Sequence, residues 1–199
     1  MRCRITLGQA IPKGKNMDLI VQKAVEIGAA EIVLIISDRT IVRLDEADAA
    51  QKQTKWQAIA IEAAKQCGQN WLPEVQTPRT LAQFFAKPPH FDLQLIGSLQ
   101  SDARHLKKIL ADHPDRPKNV LMLIGPEGDF TPAELNLARA KGCQPITLGP
   151  IILRVENRRD LLSKHIIVRV AVTKAKAGAS FPISCFNRTS RRGISVTKM

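Results

Sequence analysis

The 199-residue chain contains no tyrosine, and only six phenylalanines and two tryptophans. A nucleic-acid partner therefore meets no broad aromatic platform on which bases stack. Cysteine is also scarce. Cys3, Cys67, Cys143 and Cys185 never fall at C-x-x-C spacing, and none of the four histidines completes a zinc pattern with them. A disulfide framework and a structural metal are both unexpected; the thiols read as small hydrophobes. Long apolar runs are missing as well. Ile32–Ile36 is too short to span a bilayer, and residues 1–9 lack the continuous apolar stretch of a secretory signal. These absences predict a soluble, cytoplasmic protein without metal.

Acidic residues are few where basic ones are many. The net charge is +12, with 30 Lys and Arg against 18 Asp and Glu. That balance favours a polyanionic partner, of which RNA or DNA is the usual one. The excess is uneven. Residues 1–155 carry 20 basic and 16 acidic side chains, and residues 156–199 carry 10 and 2. The chain thus divides into a balanced body and a basic tail.

Within the body, apolar patterning predicts strands at 4–10, 31–36, 93–96, 120–124 and 145–148, and an extended piece at 73–75. Helices are expected after Asn16 or Asp18 up to Gly28, and over 49–67, 81–85, 103–111 and from Thr131-Pro132 to Gly142. A turn is expected at 114–118. Strands alternating with helices imply an α/β fold, a parallel sheet with helices on both faces. Ligands of such sheets gather at loops leaving the carboxyl ends of strands.

Two such loops stand out. Leu123-Ile-Gly-Pro-Glu-Gly-Asp-Phe130 leaves a buried strand and enters a capped helix. Its glycines allow backbone to approach a ligand, and Pro126 stiffens the turn. Leu148-Gly149-Pro150-Ile-Ile-Leu-Arg154-Val-Glu156 follows one helix and one strand later. An arginine set among Ile and Leu needs either a partner or a function, and an internal Arg154–Glu156 pair would serve as well as a site. A third stretch, Gly8 to Gly14-Lys15, lies between a strand and a helix as a phosphate-binding P-loop does. Five residues rather than four separate its glycines, and Asn16 stands where Ser or Thr would hold magnesium.

Taken together these segments resemble the bacterial 16S rRNA uridine-N3 methyltransferase family of the SPOUT superfamily. The resemblance rests on Leu-Ile-Gly-Pro-Glu-Gly at 123–128 and on Leu-Gly-x-x-Ile-Leu-Arg-x-Glu at 148–156. Lys13–Gly28, Ser37–Leu44 and the Trp56–Gly68 segment agree with it. It covers roughly residues 4–156. It implies a sheet whose carboxyl-terminal part is tied in a trefoil knot, a rare exception among folds. It implies S-adenosylmethionine bound in that knot, with Ile124, Gly125, Pro126, Glu127 and Gly128 as one wall. Leu148, Gly149, Ile152 and Leu153 would enclose the adenine, and Arg154 and Glu156 would face the reaction centre. The reaction implied is methylation of N3 of a uridine in 16S rRNA, within the small ribosomal subunit, by a homodimer. Arg154 would stabilise the uridine anion, and Glu156, Asp129 or a water would accept the N3 proton. Lys13, Lys15, Arg39 and Arg43 are candidates for RNA phosphates.

The sequence departs from the family in three ways. The family's small β-rich RNA-binding domain of the PUA type has no counterpart here, so the chain is expected to begin after it. Ile151 stands where an arginine is usual. Residues 157–199 replace the Thr-Ala and apolar helix that end the family's domain. One A inserted after a Glu codon converts GAA ACC GCC GTG AT into codons for Glu-Asn-Arg-Arg-Asp, the text at 156–160. A frameshifted tail is the expectation, and a weakly RNA-binding remnant is the alternative to an active enzyme. A SPOUT enzyme for another rRNA or tRNA site is the third.

Overall fold

The structure is a computed structural model that describes residues 3–14, 16–40, 45–112, 117–126 and 129–147. Its centre is β1 (Arg4–Ala10), flanked by β2 (Glu31–Ile36) and β7 (Asn119–Ile124). Outward from β7 come β5 (Leu93–Gly97), β8 (Gln144–Thr147) and β6 (Arg104–His105). The far edge of β2 is shared by β3 (Glu74–Val75) and β4 (Arg79–Thr80). All pairings are parallel.

Successive strand residues face opposite sides, and the core splits accordingly. Ile5, Leu7, Ile32, Leu34, Val120 and Met122 face α1 (Asn16–Glu26), α2 (Glu46–Cys67) and α4 (Leu106–Asp112). Val33, Ile35, Leu121 and Leu123 face α3 (Leu81–Ala86) and α5 (Pro132–Ala140). This is the expected sheet covered on both faces. The expected knot falls on residues outside the described ones, as do Ile151 and the tail. No helix among the described residues is long and apolar enough to cross a membrane.

Several boundaries differ from the sequence expectation for local reasons. α2 begins at Glu46 rather than 49, because Asp45 caps it by accepting from the Asp48 N–H at 2.7 Å. It ends where expected, at Gly68 with φ 67°. Its buried face carries Trp56, Ala60, Ala63 and Ala64, while Gln66 is exposed. The helix expected over 103–111 begins only at Leu106, because Arg104–His105 pair with Ile146–Thr147. Asn16 and Asp18, the expected caps, both lie inside the first turn of α1. Gly8 lies within β1, inside the expected strand, and an added Cβ would clash with Leu123 Cδ2. Close strand packing explains that glycine, so the P-loop comparison fails on structure as well as on spacing. The turn expected at 114–118 falls partly outside the described residues.

α1 and α2 meet at Trp56, which is buried. Its Nε1–H donates to Asp18 Oδ1 at 2.9 Å, and Lys55 Nζ donates to Asp18 Oδ2 at 2.7 Å. Trp56→Phe removes a bond to a charged acceptor and some apolar contact. It is expected to lower stability by about 1–2 kcal/mol in urea unfolding. An unchanged midpoint would show that this seam does not depend on the indole N–H.

Candidate active site

The parallel strands all deliver their carboxyl ends to one edge of the sheet, and among the described residues four loops leave there. After β1 come Ile11 to Gly14. After β2 come Ser37 to Thr40. After β5 come Ser98 to Ala103, and after β7 comes the Gly125–Phe130 loop. The backbone joins neighbours at this edge. Ile11 N–H donates to Ile35 O at 2.9 Å, and Ser98 N–H donates to Ile146 O at 3.0 Å.

The β7 loop is the most constrained. Ile124 is its last strand residue and Pro126 is buried, while Gly125 is half-buried. A Cβ on Gly125 would fall 2.9 Å from Phe130 N and 3.1 Å from Asp129 C and Cα, so the loop folds back tightly over its own start. Asp129 N–H donates to Pro126 O at 3.1 Å and closes the turn. Asp129 itself has φ 67°, the one positive φ of a non-glycine among the described residues. Its Oδ1 accepts from Phe130 N–H at 2.8 Å, and its Oδ2 accepts from Leu99 N–H at 3.0 Å. Of the three proton acceptors left open by the sequence, Asp129 thus has both oxygens committed to backbone donors.

Glu134 anchors the far end of the loop. It is 7% exposed. Thr131 and Glu134 form a reciprocal capping box at the start of α5, with Thr131 N–H donating to Glu134 Oε2 at 2.8 Å. The same carboxylate accepts from Ser37 Oγ at 3.0 Å and Asp38 N–H at 3.1 Å. The loop after β2 is thereby tied to the loop after β7. Sequence reading noted the Thr131 cap but not Glu134. The signal was present, a Thr followed three residues later by Glu; its second use, on Ser37, lies 97 residues away.

Ile124, Gly125 and Pro126 therefore stand together at one strand end. Lys13 and Arg39 are exposed at the ends of the adjacent strands β1 and β2, on the same edge. Glu127, Gly128, Leu148, Gly149, Ile152, Leu153, Arg154, Glu156, Lys15 and Arg43 lie outside the described residues. Cys143 is buried, and burial pushes its thiol up to about 12, which keeps it protonated and unreactive at neutral pH. Among the described residues no group of three or more His, Cys, Asp or Glu is placed to hold a metal.

The edge suits a ligand held by backbone. Gly97 and Gly125 sit on neighbouring strand ends with only partial cover, and the side chain of Leu99 beside them is 54% exposed.

Comparison with known proteins agrees with this geometry. Residues 1–157 match the model of the RNA methyltransferase domain family. Ribosomal RNA small subunit methyltransferase E of Synechocystis sp. is 35% identical over 155 residues, covering 75% of this chain and 48% of that protein. The protein of the same name from Bacillus subtilis is 30% identical over 157 residues, covering 77% and 61%. The crystal structure of ribosomal RNA small subunit methyltransferase E from Neisseria gonorrhoeae bound to S-adenosylmethionine superposes with a TM-score of 0.73 at 34% identity. The match covers 87% of this chain and 67% of that one. The chain thus spans between about half and two thirds of the length of these relatives. The chain belongs to the RNA methyltransferase domain family, among the proteins that resemble ribosomal RNA small subunit methyltransferase E.

Proposed function

We propose that this chain is the catalytic domain of an S-adenosylmethionine-dependent methyltransferase acting on N3 of a uridine in 16S rRNA, as a cytoplasmic homodimer. The observation that carries the reading is the family match over residues 1–157, laid on a sheet whose β7 loop is built for close backbone approach. The cofactor supplies a methyl group already activated on a sulfonium, so the protein's task is to position and shield the reactants.

The chain's own residues divide that task. Ile124 to Gly128 would form one wall of the cofactor site, and Leu148, Gly149, Ile152 and Leu153 would enclose the base. Uridine N3 must lose its proton to become a good nucleophile. Arg154 stabilises the resulting charge on the uracil oxygens. Glu156, Asp129 or a water takes the proton. Lys13 and Arg39, exposed at this edge, hold RNA phosphates, a role proposed also for Lys15 and Arg43.

A second reading has its own observation. The family match ends at residue 157, where the basic tail begins. A frameshifted tail replaces the last elements of the family's domain, and a remnant would bind RNA by charge alone, with strong salt dependence. Calorimetric titration of the full chain with S-adenosylmethionine separates the two. Saturable one-to-one binding is expected from an enzyme, followed by methyl transfer to 30S subunits. A folded sample that takes up no cofactor would discard the enzyme reading in favour of the remnant.

A further inference from the structure

We propose that Asp129 is a positioning residue of the cofactor site, whose carboxylate clamps the loop after β5 to the loop after β7. The proposal rests on the cofactor reading above. It starts from the backbone: Asp129 adopts φ 67°, a region that L-residues with a side chain enter at a cost. Glycine would hold this turn without that cost. The carboxylate offsets it with two bonds to backbone donors, one local to Phe130 N–H at 2.8 Å and one across the site to Leu99 N–H at 3.0 Å. Bonds of this kind to a charged acceptor are stronger than neutral ones.

The bond to Leu99 completes a lacing of three strand ends. β5 and β7 are neighbours, paired at Ile96 and Leu123. On its other side, the segment after β5 is fixed to β8 by Ser98 N–H to Ile146 O at 3.0 Å. Leu99 thus has its amide held by Asp129 while its side chain stays exposed at the edge. Without the carboxylate, the 98–100 segment keeps its β8 tether and loses its β7 tether. The ligand-ready arrangement then becomes one of several, and apparent affinity falls in proportion to its population.

The test uses the full chain and Asp129→Ala, Asp129→Asn and Asp129→Gly, with amide hydrogen exchange, S-adenosylmethionine titration and urea unfolding. In the cofactor-free protein, the Leu99 and Phe130 amides should be protected and should exchange about tenfold faster in the Ala and Gly variants. The cofactor Kd should rise about tenfold in both, and about threefold in Asn, which keeps one acceptor oxygen. Asp129→Gly removes backbone strain along with the clamp, so its unfolding midpoint should stay at or above wild type while its affinity falls. A merely structural residue would not separate the two. Wild-type binding retained within twofold in the Gly and Ala variants would overturn the proposal. So would unprotected Leu99 and Phe130 amides in the wild type. Loss of methyl transfer in Asp129→Asn at unchanged cofactor Kd would overturn it too, by assigning Asp129 to proton transfer. Absence of cofactor binding by wild type would instead remove the functional reading, and the exchange data alone would then decide the clamp.

Discussion

Glu134→Ala should lower the stability of the domain by about 2–4 kcal/mol and loosen the loop that follows β7. The magnitude follows from what the carboxylate holds. It accepts the Thr131 N–H and the Asp38 N–H, and the Ser37 hydroxyl, which is buried. Loss of a helix cap alone costs about 1 kcal/mol. A buried donor left without an acceptor adds about 1–3 kcal/mol. The Asp38 and Thr131 amides lie near the surface, where water replaces part of the loss, so the contributions do not sum fully. Glu134 also stands in the first turn of α5, where the helix dipole favours negative charge.

Glu134→Gln separates geometry from charge. The amide keeps one oxygen and replaces the other with a donor, which must then face a donor on Asp38 or on Ser37 and Thr131. Stability should therefore order as wild type above Gln, with Ala lowest or close to Gln. Urea unfolding at constant slope gives the ordering. Equal stability of all three would show that the junction between the β2 and β7 loops carries no energy, and Glu134 would be reduced to an ordinary surface cap.

Much of the fold was legible because its elements advertise themselves locally. Arg4–Ala10 and Glu31–Ile36 match their expected bounds, since each is a short apolar run closed by a polar or turn signal. Trp56 and Ala63 lie on the buried face of α2, as their helical spacing predicts. What escaped was whatever depends on a distant partner. Arg79–Thr80 and Arg104–His105 carry no strand pattern of their own. They become strands because Ile35–Ile36 and Ile146–Thr147 offer free edges. The site divides the same way. Gly125 and Pro126 announce a turn at a strand end. The roles of Asp129 and Glu134 depend on Leu99 and Ser37, which lie 30 and 97 residues away in the chain. No local pattern encodes those contacts.

Gly125→Ala is expected to be the most damaging single-methyl change at the site. An ideal Cβ there lies 2.9 Å from Phe130 N and 3.1 Å from Asp129 C and Cα. All three are backbone atoms, so no side-chain rotation makes room. The loop would have to rise, yet it is pinned at both ends. Phe130 is 2% exposed and packs in the core beneath α3 and α5. Asp129 is bonded to Pro126 O on one side and to Leu99 N on the other. Lifting the loop therefore costs either core packing or hydrogen bonds. Overpacking of this kind typically costs about 1–3 kcal/mol, and the displaced backbone is the very wall proposed for the cofactor. The expected result is a folded protein with a lowered unfolding midpoint and a cofactor Kd raised more than about tenfold, the equivalent of about 1.4 kcal/mol. The two losses should appear together, unlike those of Asp129→Gly, where affinity falls without stability. Wild-type affinity in a stable Gly125→Ala protein would mean that the β7 loop does not close over its own start in solution. The wall would then have to be sought in the Leu148–Leu153 segment alone.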